Sequence, residues 1–97
     1  MSLFTVVLIE DAQGDLANMW VGAPDRGAIT MAFDRIEREL AQSPKLFGTL
    51  LSEGLWKLYR EPLKVFYSID EAAMVVEISR VQFIPLNGAR SGNRPDN

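Results

Sequence analysis

Residues 55–81 read LWKLYREPLKVFYSIDEAAMVVEISRV, and the way this stretch pairs with itself decides the fold. It holds three runs rich in β-branched and aromatic residues, separated by Glu61-Pro62 and by residues 70–73, which reads as three consecutive antiparallel strands. A two-residue loop at Glu61-Pro62 pairs Arg60 with Leu63, Tyr59 with Lys64, Leu58 with Val65, Lys57 with Phe66 and Trp56 with Tyr67. Proline is not the usual residue of such a loop, but a four-residue loop from Arg60 to Leu63 keeps the same pairing. A second turn at residues 70–73 sets the expected partners Ile69 and Met74, Tyr67 and Val76, Phe66 and Glu77, Val65 and Ile78, Lys64 and Ser79.

Side chains alternate across a sheet, so this pairing separates two faces. One carries Trp56, Leu58, Val65, Tyr67, Ile69, Met74, Val76 and Ile78. Burying each large apolar side chain is worth about 1.5–3 kcal/mol, so this face is the expected core. The other carries Lys57, Tyr59, Lys64, Phe66, Glu77 and Ser79 and faces water or a ligand. Past Arg80 the alternation shifts, because Val81 and Phe83 share the parity of the open face. A bulge or strand end near Arg80 is expected.

Outward from this stretch, residues 3–9 read as a strand. Glu10 or Asp11 then caps a helix marked by Ala12, Leu16, Met19 and Trp20 and closed by Gly22. Pro24 is expected in the first turn of a second helix, with Asp25 favourable near its N-terminus. Ile29, Ala32, Phe33, Ile36 and Leu40 make its apolar stripe, and Arg35, Glu37, Arg38 and Glu39 a solvated side. Ser43-Pro44 stops it, and Gly48 and Gly54 bracket a linker. The order is an N-terminal strand, a helical hairpin and a three-stranded antiparallel meander. That is an α+β fold with the helices on one face of the sheet.

At 97 residues there is room for one core. Residues 1–85 are expected to form the domain and residues 86–97, polar and rich in Gly, Asn and Arg, a disordered tail. The net charge of −3 gives no overall field to attract nucleic acid, so any such contact needs a local basic patch. The chain has no cysteine and no histidine, which removes thiolate chemistry and the commonest general base. Asp11, Asp15 and Asp25 lack metal-ligand spacing and are read as serving helix starts; neither a metal nor a cofactor is expected. With no membrane-length apolar run and no signal-peptide pattern, a cytoplasmic location is expected.

The order and spacing resemble the RelE/ParE superfamily of toxins from type II toxin–antitoxin systems. The resemblance runs from about Phe4 to Val81. It rests on the opening strand, Asp15-Leu16 and Trp20 in the first helix, Ile36-Glu37-Arg38-Glu39-Leu40 with Ser43-Pro44 in the second, and a glycine before the hairpin. Its clearest part is Trp56-Lys57-Leu58-Tyr59-Arg60 followed by Leu63-Lys64-Val65-Phe66-Tyr67-Ser68-Ile69-Asp70. The resemblance implies either a ribosome-dependent endoribonuclease that cuts mRNA or a protein that poisons DNA gyrase, each neutralised by a small antitoxin. It places Lys57 and Lys64 at the family's basic positions on the open face. Tyr59 stands where some active relatives have a second lysine, Arg80 loosely matches the family's later basic residues, and the usual basic C-terminal segment is missing.

Cleavage through a 2′-hydroxyl needs a proton acceptor, a proton donor and cations for the developing phosphorane charge. Lys57, Tyr59 and Lys64 are the candidates for that chemistry, and Phe66, Ser79 and Arg80 for partner or RNA binding. Glu77, expected beside Phe66, would offset the positive potential. The expected function is therefore a toxin-like component with weakened or lost catalysis. The alternatives are an active mRNA endoribonuclease and a non-enzymatic binding module, either gyrase-binding or a homodimer.

Overall fold

The computed structural model describes residues 3–85; the tail expected over residues 86–97 lies outside them. The elements are β1 (Thr5–Leu8), α1 (Glu10–Gly22), α2 (Arg26–Gln42), α3 (Pro44–Phe47), β2 (Thr49–Ser52), β3 (Leu55–Arg60), β4 (Leu63–Asp70) and β5 (Val75–Phe83). They form one five-stranded sheet in the order β1-β5-β4-β3-β2. Strand β1 runs parallel to β5, with Thr5 opposite Val75, and the other neighbours are antiparallel. The α+β architecture expected from the sequence is the one observed, with two additions. The presumed linker carries β2 on the free edge of β3, and the single-turn helix α3 precedes it.

The first hairpin has the expected register pair for pair, from Trp56 opposite Tyr67 to Arg60 opposite Leu63. Pro62 fits the two-residue loop because the Glu61–Pro62 peptide is cis, as in type VI turns. The second hairpin is two residues out of the expected register. Asp70 pairs with Val75 and Tyr67 with Ile78, so the turn is residues 71–74. Asp70 accepts a hydrogen bond from the Ala73 amide at 3.1 Å, and Met74 takes a left-handed φ of 57°. Met74 therefore belongs to the turn and not to the core face. A slip of two preserves parity, so Val76 and Ile78 remain inside as expected.

The bulge is present. Tyr67 faces Ile78 while Phe66 faces Arg80, leaving Ser79 as the extra residue. It returns Val81, 3% exposed, to the core. One sheet face with Leu58, Val65, Tyr67, Val76, Ile78 and Val81 packs against Ile29, Ala32, Ile36 and Leu40 of α2 and Ala12 of α1. Trp56 lies in the same layer, its ring stacked with that of Tyr67 at 6.4 Å between centroids.

Helix starts differ in detail from expectation. Ile9 occupies the N-cap of α1, and Glu10 and Asp11 lie in its first turn without capping it. Asp25, not Pro24, starts α2: its carboxylate accepts from the Ala28 amide at 3.1 Å. The charged side of α2 is only partly solvated. Glu39 is bound by Arg35 at 3.1 Å and by Arg60 of β3 at 2.8 Å, which ties helix to sheet. Glu37 is held above the usual carboxylate range by burial and by nearby Asp34.

Candidate functional site on the open sheet face

The sheet face away from the helices presents its side chains in two rows across β3, β4 and β5. One row is Lys57, Phe66 and Arg80; the next is Tyr59, Lys64 and Gln82. Lys57 and Lys64 are diagonal neighbours on adjacent strands, a placement that separates residues by roughly 7–8 Å. With Tyr59 and Ile84 they line an open recess of about 390 Å³. The sequence-derived trio of Lys57, Tyr59 and Lys64 is thus brought together.

The chemistry of the three is unequal. The Tyr59 hydroxyl donates to the Ile84 carbonyl at 2.7 Å. Partial burial and then nearby Glu61 push its pKa above the ordinary phenol value. It is a protonated donor already in use, which does not suit a general base. Lys64 stands over the Phe66 ring, 5.3 Å from its centroid, a cation–π contact that fixes the ammonium over the face. Among the described residues neither Lys57 nor Lys64 is paired with a carboxylate, whereas Arg35, Arg38, Lys45, Arg60 and Arg80 all are.

Were the two flexible ammonium groups to sit at a similar separation, about 7.5 Å, they would repel in water by only roughly 0.5 kcal/mol. An anion about 4 Å from both gains roughly 1 kcal/mol from each, so the pair favours an oxyanion placed between them. The rows thus supply cations for a phosphate and no evident proton acceptor.

The slipped register and the bulge correct the expected surroundings. Glu77 lies opposite Ser68, not beside Phe66. It sits one row further from the lysines and offsets them less than the sequence suggested. Arg80 takes the place opposite Phe66 instead. Ser79, the bulge residue, turns its hydroxyl onto the Phe66 carbonyl at 3.2 Å and so stitches the sheet. Gln82 and Ile84 were not anticipated at the site. Their signal was the parity shift past Arg80, which one inserted residue converts into Arg80 and Gln82 on the open face.

Asp15 is not a helix-start residue. From the middle of α1 it accepts from Arg80 Nε at 2.8 Å, from Arg80 Nη2 at 2.9 Å and from the Val81 amide at 2.9 Å. The Arg80 hydrogen bond, with help from the Val81 amide and the arginine's charge, outweighs burial and holds Asp15 below the usual carboxylate range. A depressed folded value makes the contribution complete above about pH 4, the unfolded value, and lost as the pH falls through the folded one. Asp15→Asn is therefore expected to flatten the acid limb of a plot of unfolding midpoint against pH. An acid limb unchanged by the substitution would remove Asp15 as a source of acid sensitivity.

No helix among the described residues is long and apolar enough to cross a membrane. Neither a family model nor a curated protein matches the sequence. Solved structures do match the fold. A chain of the RelBE2 toxin–antitoxin complex of Mycobacterium tuberculosis superposes with a TM-score of 0.71 at 23% identity, over 86% of this chain and 93% of that one. A chain of the chromosomal ParDE system of P. aeruginosa gives 0.62 at 15% identity, over 84% and 96% respectively. A chain of the E. coli DinJ–YafQ complex gives 0.56 at 11% identity, over 92% and 99%. Strand order, helical layer and open sheet face taken together, this chain has the fold seen in chains of the RelBE2, ParDE and DinJ–YafQ toxin–antitoxin systems.

Proposed function

We propose that this chain is the toxin component of a type II toxin–antitoxin system, that a small antitoxin neutralises it, and that its open sheet face engages RNA with weak or no cleavage. One observation carries the RNA reading. In an acidic chain, and among the described residues, Lys57 and Lys64 form no ion pair with a carboxylate, on the face that the fold leaves uncovered by helices. The reading of weak cleavage is supported by Tyr59, whose hydroxyl is engaged by Ile84, and by Arg80, whose guanidinium is engaged by Asp15. With these two groups occupied, the face binds a phosphate without an acid–base pair poised beside it.

Induced expression tests the proposal, with and without any small protein encoded next to this chain. Growth should slow on induction and recover with the neighbour present. Mapping of mRNA 5′ ends should show few new cuts. Abundant ribosome-dependent cuts lost in Lys57→Ala would replace this reading with an active endoribonuclease. Slowed growth with no affinity for RNA would favour a protein target such as gyrase.

A further inference from the structure

We propose that Asp15 is a positioning residue that holds Arg80 out of the phosphate-binding face and so sets how tightly that face grips RNA. The inference rests on the reading of the open face as an RNA surface. The register puts Arg80 in one row with Phe66 and Lys57. Two strand spacings, about 10 Å, separate the backbone of Arg80 from that of Lys57. Arg80 is therefore placed to be a third cation over the Phe66 ring.

It is instead gripped in a two-pronged contact by Asp15, with Nε and Nη2 on the two carboxylate oxygens. The two partners differ in freedom. The Arg80 side chain is 61% exposed, whereas that of Asp15 is 17% exposed and is pinned by the Val81 amide. The aspartate is an anchored part of the frame and the arginine is the movable part. An exposed ion pair is worth little in water, so removing the carboxylate's charge is enough to release the guanidinium. The anchor exists because β1 ends opposite Ile78, leaving the following stretch of β5 as an edge whose Val81 amide needs an acceptor from α1.

The test is the affinity of the full chain for a labelled oligouridylate, measured by fluorescence anisotropy at several salt concentrations. Asp15→Asn keeps an oxygen for the Val81 amide and removes the charge that holds Arg80. It should bind about three- to tenfold more tightly, with the logarithmic salt slope steeper by about 0.7 for the added phosphate contact. Arg80→Gln combined with Asp15→Asn should return the wild-type values.

A merely structural stitch between α1 and β5 would move the denaturation midpoint but not the salt slope. Unchanged affinity and slope in a folded Asp15→Asn protein would overturn the inference, as would a double variant that binds as tightly as Asp15→Asn alone. If Asp15→Asn fails to fold, Arg80→Lys decides: a lysine keeps the charge without the two-pronged grip and should bind RNA more tightly than the wild type, and unchanged affinity would overturn the inference. Failure of the RNA reading itself looks different: the wild type and a Lys57→Glu/Lys64→Glu variant would then bind the oligonucleotide equally.

Discussion

Gly48→Ala is expected to destabilise the fold by about 3–5 kcal/mol, the sum of overpacking and a disrupted buried hydrogen bond. An alanine Cβ at this position falls on the Tyr67 hydroxyl, 2.8 Å from Tyr67 Cζ and 2.9 Å from the Lys57 carbonyl oxygen. Tyr67 has no room to retreat. It is fully buried, and its hydroxyl donates to the Pro44 carbonyl at 2.7 Å. Burial pushes its pKa up to about 12, so it remains a donor throughout the working range. The clash therefore pulls apart the junction of α3, β3 and β4. For a domain of this size the loss corresponds to a fall in Tm of roughly 15–30 °C.

Urea denaturation measures the effect, and Gly14→Ala supplies the control. Nothing lies within 4 Å of a Cβ at Gly14, inside α1, where alanine should instead gain about 0.5–1 kcal/mol. Removing the hydroxyl first should relieve part of the clash, so Gly48→Ala should lose less in a Tyr67→Phe background. A loss below about 1 kcal/mol in the wild-type background would contradict the packing described.

The second large effect is on binding. Reversing both charges, Lys57→Glu with Lys64→Glu, is expected to weaken affinity for single-stranded RNA about a hundredfold at low salt. The same change should reduce the logarithmic salt slope by about 1.4, for two lost phosphate contacts. Among the described residues neither lysine is paired with a carboxylate. The change removes the Lys64–Phe66 cation–π contact and no ion pair, so it should shift folding stability by about 1 kcal/mol at most, which separates lost binding from unfolding. Arg38→Glu with Lys45→Glu alters net charge equally on other surfaces. An equal loss of affinity there would mean that the open face has no special role.

The first hairpin was legible in the sequence because its alternation is strict and its loop is short, so one register satisfied every residue. The second was legible in parity but not in register. Two features moved the turn, and neither has a strong signature. Asp70 continues the strand while its carboxylate folds the chain back, and Met74 adopts a backbone conformation usually left to glycine or asparagine. Strand β2 was missed because Thr49, Leu50, Leu51 and Ser52 are all exposed and show no alternation to read. At the candidate site, Lys57, Tyr59 and Lys64 follow from the first hairpin alone. The link from Asp15 to Arg80 joins residues 65 positions apart, and no local pattern announces it. The Tyr59 contact to Ile84 depends in turn on where β5 ends, beyond the bulge.

The parallel pairing of β1 with β5 also has a consequence for the birth of the chain. Thr5 meets Val75 across the sheet, so a strand made early is completed by one made about 70 residues later. At synthesis rates of about 5–20 residues per second, the intervening segment takes several seconds to make. During that interval the segments of α1 and α2 lack the completed sheet, and Ile29, Ile36 and Leu40 lack the full wall they pack against. The open face is likewise assembled late, since Arg80 and Gln82 reach it only with β5. A nascent chain of this protein is sticky before it is functional, and a partner able to shield its helices would act first on an unfinished molecule.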